Sequence, residues 1–361
     1  RDLHSFPTRR SSDLGGDAID CAIKLARGAT GRPTIVSTIK AYHGHTGFAL
    51  SANGKEHYRR HFEPLMPEFR FVPFNDSEAM ASAITDKTAA VIIEPIQGEA
   101  GIFPAADDYL VDLRRLCDRH GALLIFDEVQ TGFCRTGRFF ACEHSGVVPD
   151  IMALAKSIGG GVYPNGAVLY RGLPVINRFL KKHHDFHPSY DGGSDIGCCV
   201  SLAVIRFMRE TRLWEKAERS GARLYSALED LRRENPAIIR EVRGRGLMIG
   251  IEYIHEFMGP MMSDALARNG VFAAYSGNAP QVMRFMPPLV ASDEDIDEII
   301  AAARAAVAVM KSLLPLALPA ARVPFLLNML NNERVQTLLF NWLRSVEDLI
   351  ARIPGPGGSN K

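Results

Sequence analysis

Leu123–Phe139, LLIFDEVQTGFCRTGRF, decides how this chain is read. With Ala122 it opens on a short continuous apolar run, Ala122–Phe126, bounded by Gly121. Such a run marks a strand covered on both faces. It ends at Asp127-Glu128, so a carboxylate stands desolvated and aimed at a strand end. Twenty-nine residues later, Pro149–Gly161 reads PDIMALAKSIGGG and carries Lys156. Taken singly, an aspartate after a strand is commonly a helix cap, and a lone lysine is commonly a solvated surface charge.

Working outward, the pattern alternates. Asp17–Arg27 places Ala18, Cys21, Ala22 and Leu25 on one helical face, with Gly15-Gly16 at its start. Pro33–Lys40 reads as a strand, and Ala89–Glu94 (AAVIIE) as a buried one. Asp107–His120 is an amphipathic helix. Asp150–Leu154 and Ala167–Arg171 are further strands. Strands alternating with helices predict a mostly parallel sheet flanked by helices, an α/β fold with ligands beyond the carboxyl ends of the strands. Glu94 and Asp127 both occupy such ends. Further on, Ile196–Glu234 reads as a long helical stretch. Ile238–Tyr253 is strand-like, punctuated by Gly244, Gly246 and Gly250, and a last amphipathic helix spans about Asp293–Leu313. The expected organisation is a large α/β domain over 15–211 and a smaller α+β domain over 212–313. Residues 314–361 are expected to form a helical extension, with an amphipathic segment Val323–Ile353 and a disordered Pro/Gly/Ser tail.

Composition sets the bounds. The 361 residues are 47% hydrophobic and 23% charged, with a net charge of +1. That balance argues against nucleic acid or an anionic membrane as a bulk partner. No apolar stretch is long enough to span a bilayer; Leu313–Ala321 is short and broken by Pro315 and Pro319. The six cysteines include no C-x-x-C pair, so buried, reduced thiols in a cytoplasmic protein are expected, and no metal site. His4–Leu14, HSFPTRRSSDL, is what one frame of a common sequencing-adapter primer encodes. Residues 1–14 are therefore expected to be a disordered artefact outside the fold.

The combination D-E-V-Q-T-G-F-x-R-T-G, then P-D-x-x-x-x-A-K-x-x-G-G-G, resembles the class III aminotransferases, and the resemblance runs from Gly15 to about Leu313. It implies pyridoxal 5'-phosphate (PLP), fold-type I architecture and a homodimer with active sites at the subunit interface. A lysine holds the cofactor aldehyde as a Schiff base, a carboxylate keeps the pyridine nitrogen protonated, and helix-start N–H groups take the phosphate. The resemblance gives these tasks to Lys156, Asp127 and Gly15-Gly16, with Leu14 where the family has serine. Tyr42, in AYHGHTG, matches the aromatic that stacks on the ring, and His43 lies beside it. Gln130 matches the residue that reaches the cofactor's 3-hydroxyl. Arg284, in MRFMPPLV, matches an arginine that holds a substrate carboxylate, and Glu99, in the E-P-x-Q-G-E element Glu94–Glu99, the acid that pairs with it. Glu94 and Glu128 support the site from behind. Arg243–Glu252 matches a structural segment.

Each assignment has a plainer reading, Tyr42 as core and Arg284 as a surface ion pair among them. Cys134 stands where glycine is usual. The family threonine that reaches the partner's cofactor phosphate is replaced by Tyr190, beside Ser189, in His187–Ser194. The implied activity moves an amino group from an amine or amino acid to a keto acid, 2-oxoglutarate or pyruvate. The alternatives are a PLP-dependent lyase and an inactive truncated fragment.

Overall fold

The computed structural model describes residues 8–12, 14–189 and 192–321, with positions 335 and 338. The expected extension beyond 321 and its tail lie outside the described residues, those two positions excepted. The main sheet has seven strands: β1 (Thr8–Ser12), β2 (Thr34–Thr38), β3 (Phe69–Val72), β4 (Thr88–Ile93), β5 (Leu123–Asp127), β6 (Ile151–Leu154) and β7 (Gly166–Tyr170). Their order is β1-β7-β6-β5-β4-β2-β3. From β3 to β6 every pairing is parallel; β7 and β1 are antiparallel to their neighbours. The central strands β2, β4, β5 and β6 are buried at every residue, which is why β4, β5 and β6 are largely apolar without alternation; β2, TIVST, instead buries the hydroxyls of Thr34, Ser37 and Thr38.

The expectation of a disordered segment over 1–14 is corrected at Thr8–Ser12, which pairs with Gly166–Tyr170 from Thr8↔Tyr170 to Ser12↔Gly166. Without it β7 would be an edge strand presenting unpaired N–H and C=O groups. A backbone ladder asks for an extended chain rather than particular side chains, so residue identity is a poor guide to which segment fills that edge.

Helix α1 (Gly15–Thr30) packs on this sheet through Ala18, Ala22 and Ala26, all fully buried together with Ile19, Ile23 and Leu25. Alanines at i, i+4 and i+8 leave a flat stripe that lets the helix axis come close to the strands. Helix α2 (Asp107–His120) buries Leu110, Leu113 and Leu116. The expected long helix after residue 196 is two helices, α3 (Asp195–Glu210) and α4 (Leu213–Glu234), parted at Thr211–Arg212, where Arg212 has φ 48. Neither glycine nor proline marks that break, so the sequence pattern runs across it.

Two compact units result. The first comprises Arg1–Tyr225, Arg243–Gly250 and Met286–Ala291; the second comprises Ser226–Val242, Ile251–Phe285 and Ser292–Lys361. The first unit thus runs past the expected boundary at residue 212, because the start of α4 is tied into it. Trp214 packs edge-on against Phe139 at 6.1 Å, and Lys216 Nζ donates to the Val290 carbonyl at 2.9 Å. The second unit holds most of a four-stranded sheet, made of β8 (Ile239–Arg245), β9 (Met248–Tyr253), β10 (Ala274–Ser276) and β11 (Ala279–Phe285) in the order β8-β9-β11-β10. It also holds helices α5 (Met258–Arg268) and α6 (Asp293–Ala321). Helix α6 continues through Pro315 and Pro319, past the expected stop at Leu313.

Among the described residues no helix is long and apolar enough to cross a membrane, and no cluster of three His, Cys, Asp or Glu could hold a metal. Four cysteines are buried, but Cys198 and Cys199 are exposed on α3, contrary to the expectation of buried thiols throughout. Their helix packs on the first unit with its other side, as the buried Gly197 and Ser201 show.

Asp150, at the entrance to β6, is 2% exposed. It pairs with Arg114 at 2.8 Å and Arg171 at 3.1 Å and accepts the Leu124 N–H at 2.9 Å. Removing one partner of a buried ion pair leaves the other charge uncompensated. Asp150→Ala is expected to lower stability by about 3 kcal/mol or more, measured by urea denaturation; a loss below about 0.5 kcal/mol would mark the cluster as surface-like.

Candidate active site

The carboxyl ends of β4, β5 and β6 bring Glu94, Asp127 and Lys156 to one edge of the sheet. Asp127 closes β5; Glu94 and Lys156 follow β4 and β6 by one and two residues. They line a cleft of about 360 Å³, together with Gly15, Gly16, Tyr42, His43, Glu99 and Gln130. The volume falls within the range of small-molecule sites.

Asp127 is 5% exposed. One oxygen accepts the Val129 N–H at 3.0 Å; the other meets His43 Nδ1 at 2.7 Å. The two contacts fix the carboxylate plane. His43, expected beside the cofactor, thus makes its short polar contact with Asp127. Burial alone pushes its imidazole down, but the hydrogen bond and charge of Asp127, with Glu94 adding, hold it above the usual histidine value. Ser37 Oγ lies 3.4 Å from His43 Nε2 and donates to the Ala52 carbonyl. Ser37 is fully buried, so this Ser-His-Asp line has no access to a substrate.

Lys156 carries a second mark of a functional position. Its φ is 48, in the left-handed region that side chains seldom enter, and it is exposed at the start of a single 3₁₀ turn, Lys156–Gly159. Such a conformation costs about 1–3 kcal/mol and persists where the surroundings impose it.

The α1 start forms one wall. Gly44 (φ +124) lies against Gly16; a Cβ on Gly44 would sit 2.9 Å from the Gly16 Cα. Gly15 and Gly16 line the cleft, so the first turn of α1 is turned toward it, with the positive end of the helix dipole behind. Leu14 stands at the N-cap with no side-chain acceptor. In the same turn, Asp17 meets His187 Nε2 at 3.0 Å, and Lys24 Nζ lies 3.2 Å from His187 Nδ1. These contacts tie the segment leading to the half-buried Ser189 onto α1. Tyr190 lies outside the described residues.

Tyr42 is half-buried, and its ring meets His45 and Tyr58 edge-on at 5.5 and 5.4 Å. Burial, then the charges of Glu99, Asp127 and Glu94, raise its phenol above the usual value, so it stays protonated at neutral pH. Gln130 packs over Gly98, where any Cβ would collide with its amide. Glu128 faces away from the cleft and is fully buried. It accepts the N–H groups of Ala141 and Cys142 and the Thr131 hydroxyl at 2.8–2.9 Å, and burial still pushes it up to about 7. It braces the loop after β5. Arg284 belongs to the second unit, on β11 opposite Ala274.

Sequence reading missed Asn165, which lines the cleft. It donates to the Gly197 carbonyl at 3.1 Å and to Ser201 at 2.7 Å. Its partners lie on α3, more than thirty residues away, and no local pattern announces them. Helix α1 offers a simpler test. Leu14→Ser supplies the missing cap acceptor and is expected to stabilise the protein by about 1 kcal/mol. Chemical denaturation measures it, and an unchanged midpoint would mean the first-turn amides are already satisfied.

Comparison with known proteins places this geometry. The family model described as aminotransferase class-III matches residues 9–307. An uncharacterized aminotransferase of Archaeoglobus fulgidus is 42% identical over 285 residues, covering 79% of this chain; the chain spans 66% of that relative's length. Among solved structures, the ornithine aminotransferase of Toxoplasma gondii is similar at 32% identity and a TM-score of 0.78, covering 85% of this chain and 74% of its own. An (S)-enantioselective omega-transaminase of Thermomicrobium roseum is similar at 31% identity and a TM-score of 0.75, covering 84% and 75%. A parallel sheet with this edge, matched over most of its length by that family, leaves one assignment: the chain belongs to the class III aminotransferases and has their fold-type I architecture.

Proposed function

We propose that the protein is a PLP-dependent transaminase. The observation that carries this reading is the convergence of Lys156, in a strained backbone, and the buried Asp127 on one cleft whose wall is the start of α1. An anionic phosphate suits the α1 amides, a pyridine nitrogen suits the Asp127 carboxylate, and a flat ring suits the Tyr42 face. The residues therefore fit the cofactor. PLP, when bound, supplies an electron sink that lets the carbon bearing an amine lose a proton.

The chain's own groups supply the rest. Lys156 Nζ is the group that would carry the cofactor and, once freed by an incoming amine, take and return the proton. Val129 N–H and His43 keep the Asp127 carboxylate oriented. Gln130, propped on Gly98, is placed for a ring hydroxyl. Arg284 is proposed to bind a substrate carboxylate when one is present and Glu99 when none is. The similar structures named for ornithine aminotransferase and omega-transaminase activity support a donor with a terminal amine; the acceptor proposed from the family resemblance is a keto acid, 2-oxoglutarate or pyruvate. We also propose a homodimer in which Ser189 and Tyr190 reach the partner's phosphate site; the exposed Ile196, Leu202 and Phe207 of α3 support such an interface.

The protein purified with PLP is expected to show a visible band of lysine-bound cofactor that Lys156→Ala abolishes. An amine added without keto acid is expected to bleach the band and yield one carbonyl product per site. Continued product formation with the band intact would instead establish elimination chemistry. Absence of the band from the wild type would overturn the proposal.

A further inference from the structure

Glu94 is 5% exposed and its two oxygens serve different walls of the cleft. Oε1 accepts the Tyr42 N–H at 3.0 Å, and Oε2 accepts the Gly98 N–H at 3.2 Å. Tyr42 opens the loop that carries His43 and Gly44. Gly98 sits in the turn between Ile96–Gln97 and Phe103–Pro104 that carries Glu99. Gly98 also props Gln130, so a third cleft residue depends on where that turn lies. A carboxylate is rigid and planar, and two N–H groups bound to its two oxygens are held at a set separation. A glutamine cannot replace it, since its amide offers one acceptor and turns an NH₂ toward the other N–H. A protonated carboxyl has a similar defect, because its O–H is a donor.

We propose that Glu94 is a positioning residue: its carboxylate clamps the Tyr42 wall to the Gly98–Glu99 wall and thereby sets the shape of the cofactor cleft. The part of this that concerns cofactor binding rests on the reading of the cleft as a PLP site; the clamp itself does not.

The clamp works against stability. Glu94 faces Asp127 from β5 and His43 from the neighbouring loop, with the Tyr42 phenol and Glu99 nearby. Burial pushes Glu94 up to about 7; Asp127 adds to this, while His43 and the two N–H groups oppose it. A carboxyl raised above its unfolded value contributes stability that is present below the unfolded pKa and is lost as pH rises toward 7. The doubly bonded clamp runs the other way and is complete only once Glu94 is ionised. Cleft order and the Glu94 contribution to global stability should therefore move in opposite directions between about pH 6 and about pH 7.

Two measurements test this. The first is hydrogen exchange of the Tyr42 and Gly98 amides in the wild-type protein without added cofactor, corrected for intrinsic rates. Protection at one or both is expected to fall about tenfold from about pH 8 to about pH 6, the effect of losing one charge-assisted hydrogen bond. The second is the PLP dissociation constant, by fluorescence titration, for wild type and Glu94→Gln. The wild type is expected to weaken about tenfold over the same interval; Glu94→Gln is expected to be weak throughout and flatter with pH. Glu94→Gln also removes the charge that helps raise His43, so the exchange of the two clamped amides in the wild type, which reports the clamp bonds themselves, decides the assignment. Amide protection independent of pH overturns the clamp, as does a Glu94→Gln protein that binds PLP with the wild-type affinity and pH profile. A pH-dependent clamp in a wild type that binds no PLP supports the clamp and overturns the cofactor reading. If Glu94→Gln does not fold, the wild-type exchange experiment decides alone.

Discussion

A carboxylate taken out of water at the end of a strand is the constraint on which this site depends. Asp127 is desolvated by β5 and its neighbours, and a buried carboxylate persists only with partners. The chain provides the His43 ring at 2.7 Å and the Val129 N–H at 3.0 Å. The His43 ring requires its own loop to be fixed, and that loop is held by Glu94 through Tyr42 N–H and by Asn53, which accepts the His43 N–H at 2.6 Å. One buried charge thus organises two loops and a second buried carboxylate. Burying Glu94 beside Asp127 costs free energy, which the large apolar core around β2, β4, β5 and β6 offsets.

The second requirement is close approach. A helix start can hold an anion only if its amides reach the cleft uncovered. The alanine stripe of α1 lets that helix lie low on the sheet, and the Gly16–Gly44 contact lets the Tyr42–Gly44 loop pass the first turn. A side chain at Gly44 would part the two segments. The strained Lys156 backbone follows from the same crowding, since the chain turns out of β6 directly into a short 3₁₀ turn that packs against α3.

Much of this was legible beforehand. Ala89–Glu94 and Ala122–Phe126 announced buried strands because a strand covered on both faces has no polar side to show. The helices over 17–27 and 107–120 were legible through their 3.6-residue period. The residues that gather in the cleft were found through two motifs, DEVQTG and the lysine segment, and the family resemblance they carry. What stayed hidden had no local signature. Asn165 acts through α3, and the break at Thr211–Arg212 has no glycine or proline to betray it. The pairing of Thr8–Ser12 with Gly166–Tyr170 depends on backbone groups that every residue possesses. The first unit's reclaiming of Arg243–Gly250 and Met286–Ala291 depends on contacts across the chain.

The sequence by itself determined the α/β class, the succession of strands and helices, and the chemical types placed at the strand ends, because hydrophobic period and strand-end chemistry are local properties. The tertiary structure alone decided which of those residues act together. It turned His43 toward Asp127, set Glu94 between Tyr42 and Gly98, and pointed Glu128 away from the cleft although it adjoins Asp127 in the chain. The physical reason is that successive strand residues face opposite sides, and that hydrogen bonds between segments far apart in sequence exist only once packing has brought their ends within about 3 Å.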